Sequence, residues 1–257
     1  MHVFITGAAG MIGRKLTARL VTDGALKGRP IDKLTLLDVT APPRPEKFAG
    51  AVESVAADIA DPAALRAVTV TRPDVIFHLA AVVSAEAELD FEKGMRINLD
   101  GSRALFDAVR SVGDSYRPRL VFTSSIAVFG APFPDAIGDD FHLTPLTSYG
   151  TQKAAVGFLI HAAGLDAAKL GPRINLSMPG VCCTVAEQIA ALRRIAGDKV
   201  AARIRREPDP LIVRIVAGWP SRFDARRARE LGFRGDASFD DIIRVHIEDE
   251  LGGKIAH

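Results

Sequence analysis

Val3-Phe4-Ile5-Thr6-Gly7-Ala8-Ala9-Gly10-Met11-Ile12-Gly13-Arg14 decides the fold. Its first four residues form an apolar run that stops at a glycine, the mark of a buried parallel strand. Beyond it Ile12, Leu16 and Leu20 recur at helical spacing, so an amphipathic helix follows. Gly7, Gly10 and Gly13 join the two. They let the backbone turn tightly and approach a pyrophosphate, whose charge the helix N-terminus stabilises next to Met11 and Ile12. Three glycines alone would also suit an ordinary tight turn. The strand before them and the helix after them make a dinucleotide site the stronger reading.

The same alternation continues outward. Leu34 to Leu37 reads as a second strand closed by Asp38, Val52 to Ala57 as a weaker one leading to Asp58, and Pro62 as a first-turn proline. Val75 to Leu79 is the next buried strand, followed by a helix holding Leu99, Leu105, Phe106 and Val109. Leu120 to Thr123 is a further strand, ending at Ser124-Ser125. Strands alternating with helices to about Ala163 predict a doubly wound, parallel α/β sheet. Asp38 also selects the cofactor. A carboxylate at the end of the second strand accepts hydrogen bonds from an adenosine ribose and repels a 2′-phosphate, so NAD is expected over NADP. Arg14 is the one nearby base that argues the other way.

After Gly164 the character changes. Val185 to Ile195 and Asp240 to Leu251 read as amphipathic helices. Between them lies a proline-punctuated basic stretch running from Arg203 to Arg229. Without interleaved aromatics it reads as a solvated face rather than a nucleic-acid site. The chain agrees, with 33 Lys and Arg against 31 Asp and Glu in 257 residues. Its two cysteines, the adjacent Cys182 and Cys183, cannot form a disulfide framework and read as small hydrophobes. No apolar run is long enough to span a membrane, and no basic leader precedes the first strand, so a cytoplasmic location is expected.

The catalytic signal is Ser148-Tyr149-Gly150-Thr151-Gln152-Lys153. Positions i and i+4 share a helix face, which puts an ammonium beside a phenol. A neighbouring cation favours the phenolate, and the pair then serves as a general base for an alcohol. Other candidates take plainer readings. His78 sits in an apolar strand as a core histidine, His161 has no second ligand at metal spacing, and Trp219 reads as packing. No metal site is expected.

Taken together, the glycine pattern, Asp38, Asp58, His78-Leu79-Ala80-Ala81, Asn98 with Gly101, Ser124 to Gly130 and Tyr149 to Lys153 resemble the extended short-chain dehydrogenases, the NAD-dependent epimerase/dehydratase-like group. Gly7 to Arg14, His78 to Glu88 and Arg96 to Leu105 are similar to its D-erythronate dehydrogenase branch. The resemblance implies a Rossmann-type NAD-binding domain over residues 1–165 and a small, shortened C-terminal substrate region over 166–257. It implies that Ser125 holds the substrate hydroxyl, Tyr149 takes its proton and Lys153 binds the nicotinamide ribose. It puts Asp58 and Ile59 at adenine, Leu79, Ala80 and Ala81 near the phosphates, and Asn98 in the hydrogen bonds joining sheet to site. Ser84 reads equally as a contact for a small acid or for the nicotinamide ribose, or as an ordinary loop serine.

The chain departs from this family after the Tyr-Lys helix. Either Arg173 to Gly180 is the family's sixth strand, or a block has been lost near Ala154-Ala155 and this stretch matches a later strand; the loss is favoured. The leading function is oxidation of a small hydroxy acid, D-erythronate by resemblance. The alternatives are a nucleotide-sugar epimerase or dehydratase, and an NAD-binding protein without turnover. A homodimer is expected through a second apolar stripe on the helices carrying Leu105, Phe106, Val109 and Tyr149, Phe158, Leu159.

Overall fold

The computed structural model describes residues 1–162 and 176–255, with backbone alone over 158–162. The chain divides into two units, Met1–Phe129 with Leu143–Ile174, and Gly130–His142 with Asn175–His257. The second unit therefore takes in a stretch that precedes the Tyr-Lys helix.

In chain order the first unit contains β1 (His2–Thr6), α1 (Met11–Asp23), the short β2 (Ala25–Leu26) and β3 (Arg29–Pro30), β4 (Lys33–Asp38), β5 (Ala51–Ala56), α2 (Pro62–Thr69) and β6 (Val75–His78). Then come α3 (Ser84–Leu89), α4 (Phe91–Gly94), a π-helical turn (Met95–Asp100), α5 (Gly101–Ser111), β7 (Arg119–Phe122), a 3-10 turn (Ile126–Val128) and α6 (Ser148–Ala162). The parallel sheet has the order β5-β4-β1-β6-β7. Val3, Phe4 and Ile5 of central β1 are fully buried, as a strand covered by helices on both faces requires. Thr6 lies level with Leu37 and with His78, and His78 with Phe122. The carboxyl ends of four strands thus deliver Gly7, Asp38, Leu79 and Thr123 to one edge, the place where such sheets bind ligands.

Two parts of this order depart from the sequence reading. The β2–β3 ribbon was not expected; it follows Gly24, whose left-handed backbone (φ 61) ends α1. The helix expected through Leu99 to Val109 runs without interruption but changes pitch, with Leu99 in the π-helical turn that leads into α5. That wider turn brings Asn98 inward.

The expected second apolar stripe on α5 is also overturned. Leu105, Phe106 and Val109 are all buried within the chain, Phe106 packing edge-on to His78 at 6.5 Å. The outward face of α5 is Arg103, Asp107 and Arg110. Phe158 and Leu159 lie outside the described side chains, as does His161.

The second unit is helical: α7 (Val185–Ala196), α8 (Asp198–Ala201), α9 (Pro210–Ala217), α10 (Arg226–Glu230) and α11 (Phe239–Leu251). Thr184 and Glu187 close a reciprocal cap at the start of α7, and Arg194 ties α7 to α11 through a two-pronged contact with Asp240 at 2.6 and 3.2 Å. Ile137, fully buried, joins this unit by exchanging backbone hydrogen bonds with Arg222 and Asp224. Leu176 to Gly180 form no strand, and Arg173 to Asn175 lie outside the described residues. Arg203, Arg205, Arg206 and Arg214 are exposed, matching a solvated face. Cys182 is exposed rather than packed. Among the described residues no helix is long and apolar enough to cross a membrane, and no group of His, Cys, Asp and Glu is placed to hold a metal.

Candidate active site

The loop after β1 is built for close approach. Gly7 has φ +73, and a Cβ there would lie 2.7 Å from the Ala80 backbone nitrogen. A Cβ on Gly13 would lie 2.2 Å from the Gly7 carbonyl oxygen. Only glycines let β1, α1 and the strand end at Leu79–Ala80 come this near. No side chain caps α1, its first turn holds no acid, and Met11 and Ile12 are exposed at 66% and 57%. An uncapped, acid-free helix start facing an open cradle suits a pyrophosphate.

Asp38 is held for its task. One carboxylate oxygen accepts the Ala9 N–H at 2.9 Å and the other the Val39 N–H at 2.8 Å. Each oxygen keeps a lone pair for a ribose hydroxyl. Asp58 accepts from the Ala60 N–H at 2.9 Å and from Arg96 at 2.6 Å. Burial works to raise its carboxyl, but these partners outweigh it and hold the group below its usual value. Ile59, 3% exposed, packs under Gly101, where a Cβ would meet its side chain at 2.8 Å. These features fit NAD as the sequence proposed.

A buried relay joins this cradle to the helices behind it. The Ser102 hydroxyl donates to the Asn98 carbonyl at 2.7 Å, so its oxygen accepts from His78 Nε2 at 2.8 Å. His78 Nδ1 then accepts from the Thr6 hydroxyl at 2.8 Å, whose oxygen takes the Ala80 N–H at 3.3 Å. Burial, helped by the Lys153 charge, pushes His78 down to about 3, so it is a neutral structural group. The Asn98 side chain exchanges hydrogen bonds with the Val82 backbone at 3.0 and 3.2 Å and donates to Gln152 Oε1 at 2.8 Å. It therefore ties the segment after β6 to α6.

Ser125, Tyr149 and Lys153 do come together. The Ser125 hydroxyl stands near enough to the Tyr149 phenol to favour its ionised form, and its oxygen accepts the Ala127 N–H at 3.2 Å. Lys153 is 3% exposed, donates to the Thr123 carbonyl at 3.2 Å and sits 5.8 Å from the Tyr149 ring centroid. Burial pulls its ammonium down to about 8. One expectation is corrected. Burial raises the Tyr149 phenol, and the nearby Ser125 hydroxyl offsets this only in part. The ammonium is turned to Thr123, so the side chain keeps its proton near neutrality. Ser84 begins α3 and is half-buried.

The sequence reading missed several residues that shape this site. Thr6 and Gln152 lie inside quoted stretches but carry no signal of their own. Gly150 was quoted without a role, yet a Cβ there would lie 2.1 Å from the Ala127 carbonyl oxygen. Glu88, reached from 60 residues upstream of Ser148, had no local signal at all.

Comparison with known proteins agrees with this geometry. The NAD dependent epimerase/dehydratase family model matches residues 3–170. A D-erythronate dehydrogenase from Cupriavidus necator is 36% identical over 323 aligned positions, covering 97% of this chain and 98% of the relative. Since this chain has 257 residues, at least 66 of those 323 positions face no residue of it, which supports the internal loss over a sixth strand at Arg173 to Gly180. A crystal structure of a nucleoside-diphosphate-sugar epimerase from Agrobacterium tumefaciens superposes with TM-score 0.87 at 49% identity, covering 100% of this chain and 96% of that one. A UDP-glucose 4-epimerase from Brucella ovis, solved in complex with NAD, matches 65% of this chain and 49% of its own, at 25% identity and TM-score 0.53.

Proposed function

Because this chain belongs to the NAD dependent epimerase/dehydratase family, we propose that the NAD-dependent oxidoreductase it encodes is a dehydrogenase of a small hydroxy acid, D-erythronate or a close analogue. The observation that carries the reading is Lys153 buried 5.8 Å from the Tyr149 ring centroid, with Ser125 beside the phenol and the glycine cradle on the same sheet edge. In this reading Gly7, Gly10, Gly13, Met11 and Ile12 hold the pyrophosphate, and Asp38 the adenosine ribose. Asp58 and Ile59 flank adenine, and Leu79 to Ala81 wall the phosphates. NAD, when bound, supplies the hydride acceptor.

Ser125 and Tyr149 grip the substrate oxygen. In oxidation Tyr149 accepts the hydroxyl proton as the carbon-bound hydrogen leaves with its electron pair; in reduction Tyr149 returns a proton to the carbonyl oxygen. Its raised phenol makes the resting side chain a proton donor, so oxidation needs that proton to leave first. Lys153, its ammonium held by the Thr123 carbonyl beside the phenol ring, offers its remaining N–H groups to the nicotinamide ribose. The unit Met1–Phe129 with Leu143–Ile174 serves as the NAD-binding domain, and the other as the substrate region.

The name of the Agrobacterium structure favours a second reading, a nucleotide-sugar epimerase. A panel of sugar acids and UDP-sugars with NAD separates the two. Net NADH from D-erythronate or a related acid supports the proposal, and interconversion of UDP-sugars without net NADH replaces it.

A further inference from the structure

The start of α6 is held in an unusual way. Thr147 already supplies the local cap, accepting the Gly150 N–H on its hydroxyl at 3.0 Å and the Thr151 N–H on its carbonyl at 3.0 Å. The Tyr149 N–H goes elsewhere. It donates to Oε1 of Glu88 at 2.8 Å, an oxygen that also accepts the Ser148 hydroxyl at 2.8 Å. That hydroxyl lies 3.3 Å from the Ala87 carbonyl as well. Glu88 sits on α3, whose Ala87 is fully buried, so the carboxylate is offered from an anchored element. A negative charge at a helix N-terminus is favourable, and a carboxylate makes stronger hydrogen bonds than a neutral acceptor.

The turn 148–150 is thereby fixed from two sides. Glu88 grips it on one side. On the other, Gly150 rests against Ala127, in the 3-10 turn that presents Ser125. We propose that Glu88 is a positioning residue that clamps the first turn of α6 and so keeps the Tyr149 phenol in register with Ser125. The proposal rests on the reading of Ser125 and Tyr149 as the reacting pair. Glu88 does not touch the phenol. It acts through the backbone of the residue that carries it.

The test exploits a feature of composition. The chain has two tyrosines, and buried Tyr116, which donates to the Pro73 carbonyl, is pushed far above the ordinary range by burial. In a Tyr116→Phe background tyrosinate absorbance follows Tyr149 alone, without substrate, NAD or turnover. Ser125→Ala should move the Tyr149 midpoint upward by about half a pH unit or more, since it removes the donor that favours the phenolate. Glu88→Ala should move it in the same direction, while Glu88→Gln, which keeps an acceptor oxygen, should titrate like the parent. In turnover, Glu88→Ala should lower kcat about tenfold with NAD affinity unchanged, and Glu88→Gln should recover most of it. Glu88→Asp, which withdraws the carboxylate by one methylene, should repeat the Ala result and serves if the Ala variant does not fold. A moved Ser125→Ala midpoint beside unmoved Glu88→Ala and Glu88→Asp midpoints would overturn the Glu88 assignment alone. An unmoved Ser125→Ala midpoint would overturn both it and the reacting pair.

Discussion

Gly150→Ala is the substitution that probes the site geometry most sharply. A Cβ at this position would stand 2.1 Å from the Ala127 carbonyl oxygen and 2.9 Å from its carbon, whereas ordinary contact begins near 3.4 Å. The obstacle is backbone, so it cannot be relieved by a rotamer. Either α6 or the 3-10 turn after Ser125 must retreat by more than an ångström. Tyr149 and Ser125 sit on the two sides of that contact, and the space between them widens by a comparable amount. A misplacement of about 1 Å can cost about a hundredfold in rate, so kcat should fall by that order. The glycine cradle and Asp38 lie on other elements, so NAD affinity should stay within a few-fold. Overpacking should also lower stability by about 1–3 kcal/mol, visible in thermal melts. Gly157, on the same helix with no atom of the described residues within 4 Å of its would-be Cβ, provides the control. Gly157→Ala should keep full activity and gain up to about 1 kcal/mol. Normal NADH production by Gly150→Ala would refute the argument that this contact sets the Ser125–Tyr149 distance.

Three further outcomes follow from the charges. Asp38→Ala should weaken NAD by about 2–3 kcal/mol while leaving NADP unchanged or improved, as read by titration calorimetry; equal losses for both would remove Asp38 from cofactor selection. Lys153→Met should abolish most turnover yet stabilise the free protein. Its folded value of about 8 lies below the ordinary lysine value, so the buried charge costs on the order of 3 kcal/mol below pH 8, and that cost fades as pH rises toward the unfolded value. Denaturant melts at neutral and alkaline pH check both size and direction. Finally, the raised Tyr149 phenol means that oxidation should speed up about tenfold per pH unit through neutrality and on into the alkaline range; a flat profile would show that proton removal by Tyr149 does not limit the rate.

Most of the sheet was legible because parallel strands buried on both faces read as short apolar runs, as Val3 to Ile5 and Leu34 to Leu37 do. The cofactor loop was legible because its glycines answer a backbone demand that no other residue meets. The change of pitch at Met95–Asp100 was not, because a π-helical turn has nearly the same apolar spacing as the helix around it and is set by the tertiary bonds of Asn98 to Val82 and Gln152. Phe106 was misread for a related reason: periodicity gives the face of a residue but not the reach of the sheet beneath it. The phenol of Tyr149 was expected to be lowered by Lys153, and only the three-dimensional arrangement reveals the ammonium engaged with Thr123 instead. Glu88 meets α6 across 61 residues of chain, a pairing that no local pattern encodes.

The central claim is that hydrogen moves from a hydroxy-acid carbon to NAD at the Ser125–Tyr149 site. D-Erythronate deuterated at its carbinol carbons, incubated with the full-length protein and NAD, tests it directly. The account predicts NADH that carries the deuterium by mass spectrometry, with Tyr149→Phe binding NAD normally and forming product at least about a hundredfold more slowly. NADH without the label, or an undiminished rate in Tyr149→Phe, would contradict it.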